Sequence, residues 1–455
     1  MDRADNHGLR VKSIHAKKLF GMYNHDIVLK PERATIVFGH NGVGKTVLFK
    51  LTHAVLWGSI SSMVDFLRYP YEEFRIEFDN NEKIKVSHNK DKQVVFRYED
   101  AKGEVLKSSV LGVGEIHKLA TRLERMLPIQ RIAPDQWLNT ESSETMDAFE
   151  VLNRWGSVSE VGEMKQLREW QKFLQDKQIP QSLFIQAQRL IQVANVVPER
   201  PYYRRGEGQT IRETVLEYSA DLKKRIEQML ADYGRLAQKL DQTYPQRLLQ
   251  TNTHEHMDKQ AVQGELNKIS KQQIEFQNLG ILGETSQPPT FSASTASKLD
   301  EDDKIYLAAM TLYVRDTNEK LEIISQLAQR IQLMLKLISE KFSNKELKID
   351  QKLHDLVVRS TLDEHSVLPV SALSSGEQHQ LVLAYDLLFR TQANTLVLID
   401  EPELSLHVDW QERFLTDLEA VIGLVKFDAL LATHSPYIIN GHNELTVPLS
   451  TKVAQ

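Results

Sequence analysis

The sequence contains no cysteine. That excludes a disulfide framework, a thiolate-ligated zinc hook, an iron–sulfur cluster and a cysteine nucleophile. Glycine and proline are sparse, 20 and 14 in 455 residues, which argues against a collagen-like or largely disordered chain. No apolar run approaches the ~20 residues that a membrane helix needs. Met1-Asp2-Arg3-Ala4-Asp5 opens the chain with no apolar stretch behind it, so a cytoplasmic protein without a secretory signal or membrane contact is expected. Neither sign of charge dominates: 56 Lys+Arg against 62 Asp+Glu leave −6, and any nucleic-acid role must rest on a local basic patch. What is present is an ordinary globular composition, 41% hydrophobic, on a chain long enough for two or three domains' worth of core.

The apolar spacing predicts α/β character at both ends of the chain. Leu9 to Leu29 reads as two strands joined by a turn near Gly21–His25, and Ala34-Thr35-Ile36-Val37-Phe38 as a short buried strand. Val47 to Leu56 follows at helical spacing. Alternation over 71–78, 83–88 and 93–98 predicts an antiparallel layer, with Asn80-Asn81 as a turn. Residues 115–127 and 160–175 look helical, and Gln181 to Ile185 reads as a buried strand. From about 210 the period changes to threes and fours. One stripe runs from Ile211 to Leu240 and a second from Tyr306 to Phe342. Each is a helical seam about 45 Å long at ~1.5 Å per residue. Two such runs around an excursion suggest an antiparallel arm, with a plain helical domain that has the stripes as its core as the alternative; a further helix is expected at 258–277 and a Ser/Thr/Pro-rich linker from Gly283 to Ser297. Leu396–Ile399 and Asp428–Thr433 return to buried strands.

Two short segments carry chemistry that the residues state by themselves. Gly39-His40-Asn41-Gly42-Val43-Gly44-Lys45-Thr46 lies between a predicted strand and a predicted helix, the context of a phosphate-binding loop. Its glycines let backbone N–H groups turn toward a phosphate at a helix N-terminus. Lys45 can reach the β- and γ-phosphates of ATP, and the Thr46 hydroxyl can bind Mg²⁺. Leu396 to Ile399 then Asp400-Glu401 supplies the matching acidic strand end: Asp400 for the metal and Glu401 to polarise an attacking water. His254-Glu255-His256 lies in polar surroundings and is read as a solvated stretch, not a metal site. Arg200-Pro201-Tyr202-Tyr203-Arg204-Arg205 is read as a charged surface loop, with a nucleic-acid surface as the alternative.

Leu373-Ser374-Ser375-Gly376-Glu377-Gln378 resembles the L-S-G-G-Q/E signature of ABC-type ATPases, with Ser375 in place of the usual glycine. Thr433-His434-Ser435-Pro436 resembles the switch histidine of that family. Leu183-Phe184-Ile185-Gln186-Ala187-Gln188-Arg189-Leu190 stands where the family has its Q-loop, with Gln188 the first choice and Gln186 the alternative. Asp400-Glu401-Pro402-Glu403-Leu404-Ser405-Leu406-His407 resembles the D-E-P-E-x-x-L-H stretch of OLD-type and SMC-like members. The resemblance covers about 1–100 and 365–440.

It implies an ABC-type P-loop head with a mixed sheet and an inserted helical, short coiled-coil arm. The expected division is 1–200 and 351–455 as the two lobes of the head and 201–350 as the arm. The implied activity is ATP hydrolysis with Mg²⁺. Gly39, Asn41, Gly42, Val43, Gly44, Lys45 and Thr46, together with Ser374, Gly376 and Glu377, would hold the nucleotide. Thr46, Asp400 and Gln188 would hold the metal; Glu401, His434 and Gln188 would act in hydrolysis. Signature and phosphate loop of one subunit do not share a site in this family, so a homodimer or higher homo-oligomer closed around ATP is implied. No Toprim domain follows the last motif, and the arms are far shorter than those of long SMC proteins. The chain therefore resembles the ATPase subunits of anti-phage systems such as Septu or PARIS, where a separate nuclease is the effector. A DNA-metabolism ATPase is the alternative, which leaves nucleic acid open as a partner.

Overall fold

A computed structural model describes residues 8–40, 42–155, 165–186, 211–250, 256–283, 304–362 and 367–449. The expected linker at 283–297 and the Arg200–Arg205 cluster lie almost wholly or wholly outside these residues. The chain divides into two compact units, 1–210 with 390–455, and 211–389. The fold is mixed α/β, with the helical segment inserted in sequence between the two pieces of the first unit.

The first unit is built on two large sheets. Strands β1 (Val11–Leu19), β2 (Tyr23–Val28), β4 (Glu73–Phe78), β5 (Lys83–His88), β6 (Val94–Glu99) and β7 (Val105–Leu111) form an antiparallel sheet in the order β2-β1-β4-β5-β6-β7. Alternation sends Phe74, Ile76, Phe78, Ile84 and Val86 to one buried face, as the period of two requires. Phe66 meets Phe74 and Phe96 edge-on at 5.5 and 5.4 Å, in the same core as Trp170 of the helix Lys165–Asp176.

The second sheet is parallel throughout. Its strands are β3 (Ala34–Phe38), β11 (Ser182–Ile185), β15 (Leu396–Asp400), β16 (Asp428–Thr433) and β17 (Thr446–Pro448), in the order β11-β15-β16-β3-β17. Segments from both ends of the chain thus interleave, and β15 and β16 are buried over their whole length. Arg10 ties the first strand to this sheet by donating to both carboxylate oxygens of Asp428, from Nε at 3.0 Å and Nη2 at 2.5 Å. A third, small sheet of β8 (Ile129–Ala133), β9 (Gln136–Asn139) and β10 (Thr145–Met146) was not expected from the sequence. Its strands are only two to five residues long, too short for an apolar pattern to stand out.

In the second unit the two striped segments form helices Ile211–Gln250 and Lys304–Ser339, of 40 and 36 residues. The first runs on past the end of its stripe at Leu240, whereas the second stops at Ser339, just short of Phe342. They run antiparallel, with Lys320 pairing Asp241 and the Arg247 guanidinium gripping both oxygens of Asp316 at 2.6 Å. The helix Lys259–Asn278 buries Val262, Leu266, Ile269 and Phe276 and also packs on Lys304–Ser339. The excursion is therefore part of the helical packing. Strands β12 (Lys345–Ile349), β13 (Leu356–Ser360) and β14 (Val367–Pro369) form an antiparallel sheet ahead of the helix Ser375–Tyr385.

Candidate nucleotide site

Four chain segments leave the parallel sheet at the carboxyl ends of adjacent strands. Gln186 follows β11, Glu401 follows β15, His434 follows β16 and Gly39 follows β3. Ligands of open α/β sheets collect at this edge.

The loop after β3 is shaped by its glycines. Gly42 and Gly44 have φ of 87° and 91°, a left-handed backbone that a side chain resists. At Gly44 a Cβ would also stand 2.9 Å from Leu19 and Phe20. Gly44 caps the helix Lys45–Trp57 without any side-chain acceptor, which leaves its first N–H groups for a ligand. Buried His25 donates from Nε2 to the Val43 carbonyl at 2.8 Å. Burial holds its pKa below the usual histidine range, so the ring acts as a neutral brace. Asn41 lies outside the described residues.

Lys45 is 5% exposed. Its ammonium donates to the carbonyls of Gly39 and His40, at 2.8 and 3.3 Å, and to Nε2 of His434. Desolvation lowers its pKa, against the pull of Glu401, Asp400 and Glu403. Thr46 donates from Oγ1 to Asp400 Oδ2 at 2.6 Å. Asp400 is buried, and its other oxygen, Oδ1, has no partner. Burial raises its carboxyl pKa most, with Glu401 and Glu403 adding to the rise and Thr46 and Lys45 opposing it.

Glu401 sits at φ 48°, ψ 57°, a left-handed conformation that costs a non-glycine residue roughly 1–3 kcal/mol. Its own N–H is fixed to the Ala432 carbonyl at 2.8 Å. Its Oε1 stands 3.6 Å from His434 Nε2. Lys45, Thr46, Asp400, Glu401 and His434 are thus brought together. Gln186 is exposed beyond β11, while Gln188 lies outside the described residues.

Glu403 was not singled out for a role by sequence reasoning. Its Oε1 accepts from the Thr433 hydroxyl at 2.8 Å and from the main-chain N–H groups of His434 and Ser435 at 2.7 and 3.2 Å. Only its place within Asp400–His407 hinted at function.

The signature residues belong to the second unit. Ser374 caps the helix Ser375–Tyr385, and Ser374 and Ser375 are exposed. Glu377 turns inward: it accepts from the Ser374 N–H at 2.7 Å and pairs with Lys345 at 2.9 Å. Gln378 donates to the Leu373 and Ser371 carbonyls, holding the turn before the helix. Ser374, Ser375 and Gly376 therefore form the open tip of this helix, with Glu377 as its internal brace. His256 donates to the Met257 carbonyl at 3.0 Å; its neighbours His254 and Glu255 lie outside the described residues. Among the described residues no three His, Asp or Glu side chains group as metal ligands, and no helix is long and apolar enough to cross a membrane.

Comparison with known proteins adds the following. No curated protein matches the sequence. Among solved structures, the Smc head domain of Pyrococcus furiosus, with an extended coiled coil and bound to the C-terminal domain of ScpA, aligns over 98% of this chain and 96% of its own at 13% identity and a TM-score of 0.37. The SMC head domain of Thermotoga maritima aligns over 98% and 96% at 11% identity and a TM-score of 0.35. The profile of the AAA ATPase domain matches residues 18–439, from β1 past His434, and the chain belongs to that family.

Proposed function

We propose that this chain binds and hydrolyses ATP and acts as a nucleotide-driven dimerising switch. The observation that carries the reading is the convergence of Lys45, the Thr46–Asp400 pair, Glu401 and His434 at one edge of the parallel sheet. Thr46 and Asp400 suit Mg²⁺: they offer oxygen donors only, and the buried Oδ1 of Asp400 lacks a partner. Bound with ATP, the ion neutralises charge on the β- and γ-phosphates.

The protein's own residues do the rest. N–H groups of the loop Gly42–Thr46 and the helix N-terminus cradle the phosphates. Lys45 supplies the positive charge nearest the γ-phosphate. Glu401 orients the attacking water and takes its proton, and His434 hydrogen-bonds the γ-phosphate oxygen and registers its loss. Ser374 and Gly376, at the open tip of the helix Ser375–Tyr385, are the groups a second copy would bring to that phosphate. ATP then bridges two subunits and hydrolysis loosens them. The finer role we propose is regulation of a separate effector nuclease in anti-phage defence. The sequence resemblance, the short helical arm and the lack of a cysteine hook support it.

The deciding experiment is Lys45→Ala. Calorimetric ATP binding and phosphate release should both fall below detection while circular dichroism is unchanged. Hydrolysis close to that of the parent protein would overturn the assignment. Co-purification of a nuclease with the tagged chain, in the absence of DNA, tests the finer role.

A further inference from the structure

We infer that Glu403 is a positioning residue for hydrolysis, locking the loop that carries Glu401 to the turn that carries His434. The two groups depart from neighbouring strands, β15 and β16, and nothing in a parallel ladder fixes the loops beyond the strand ends. Glu403 bridges them. It lies in the short turn Pro402–Ser405, two residues after Glu401, and one oxygen gathers three donors from Thr433, His434 and Ser435. Two of these are main-chain N–H groups, so the carboxylate holds the backbone of the turn and leaves the His434 ring free. Charge-assisted bonds of this kind are stronger than neutral ones.

Gln411, on the helix Val408–Val425, closes the same junction from the other side. Its Oε1 accepts from the Ser435 hydroxyl at 2.6 Å, and its Nε2 donates to the Leu406 carbonyl at 3.1 Å and, more weakly, to that of Glu403 at 3.4 Å. Thr433 is fully buried and Ser435 nearly so, and water therefore cannot readily replace these bonds. The second oxygen of Glu403 is buried and unpartnered. A side chain kept at that desolvation penalty is there for what its other oxygen does. With both clamps set, the strained Glu401 and the His434 ring stay within 3.6 Å of each other. Loss of the Glu403 clamp would let them drift, and a misplacement of about 1 Å is enough for a roughly hundredfold loss of rate.

The inference rests on the ATP-hydrolysis reading, and its test separates the two. In Glu403→Ala, kcat should fall about ten- to hundredfold with KM within about twofold of the parent. Glu403→Gln, which keeps an acceptor oxygen, should recover most of the loss. In a His434→Ala background, Glu403→Ala should cost little more, because both act through one group. Hydrogen exchange of the His434 and Ser435 amides in the nucleotide-free protein should speed up in Glu403→Ala while the amides of β15 keep their protection. Additive losses in the double variant, or unchanged exchange at these two amides, would overturn the inference. A parent protein that hydrolyses no ATP would overturn the functional reading instead, and the exchange measurement would still decide the role of Glu403.

Discussion

The Thr46 hydroxyl donates to the Asp400 carboxylate at 2.6 Å across 354 positions of sequence. One residue lies in the first turn of the helix Lys45–Trp57, and the other closes β15, two strands away from β3 in the sheet. The bond joins the N-terminal and C-terminal pieces of the first unit at the edge of the sheet where we propose that phosphate and metal bind. It also leaves Asp400 buried with one unpartnered oxygen, which is an expensive place for a charge.

That cost predicts a trade between stability and activity. The folded pKa of Asp400 is raised, so the folded state holds the proton more tightly than the unfolded chain does. Its ionisation therefore weakens the fold as pH rises just above the ordinary carboxylate range, the reverse of a salt-bridged aspartate. Asp400→Asn should stabilise the nucleotide-free protein at neutral pH, by roughly 0.5–2 kcal/mol as buried-charge removal commonly does, while abolishing hydrolysis. The gain should shrink as pH falls toward that range. Denaturant melts at pH 7.5 and pH 5 check this, and a less stable variant at pH 7.5 would contradict it.

Glu401→Gln should separate binding from turnover. The amide keeps the shape but cannot take the proton, while Lys45, Thr46 and Asp400 remain in place. ATP should bind with near-parent affinity, hydrolysis should drop by about 10²–10⁴, and an ATP-dependent dimer should persist. Light scattering after size exclusion, beside a phosphate-release assay, reads both effects. Undiminished phosphate release would remove Glu401 from the role of base.

Ser374→Arg and Lys45→Ala should complement each other in a mixture. Each variant alone spoils both sites of a dimer. In a mixed dimer both defects fall on one site and the other is intact. The expected result is recovery of up to about half the activity per mixed dimer, given two independent sites. If mixed dimers form, shown by differently tagged chains, and activity stays at the level of the single variants, the shared-site arrangement fails.

Much of the candidate site was legible because its chemistry is local. Gly39 to Thr46, directly after the apolar strand Ala34–Phe38, holds a turn with φ above zero and a helix N-terminus within eight consecutive positions, and the residue types state each requirement. Asp400 and Glu401 were readable for the same reason, as two carboxylates at the end of a wholly apolar strand. The long helices were evident from their stripe, though not their full extent, since helix ends depend on capping and packing more than on period. The small sheet at 129–146 gave no signal because strands of two to five residues are too short for an alternation to stand out.

What the order of residues could not state is which strands are neighbours. Sequence alone determined that a phosphate loop, an acidic strand end and a histidine turn exist; parallel pairing in the order β11-β15-β16-β3-β17 decided that they share one edge. The same pairing decided that Glu403 faces the Thr433–Ser435 turn, 30 residues on, and packing within the second unit decided that Glu377 turns inward to Lys345 at the base of its helix tip. These are contacts between segments whose approach is set by burial of the sheet and helices as a whole. No local propensity encodes them, and the charge on each carboxylate acquires its task only from the donors that packing brings to it.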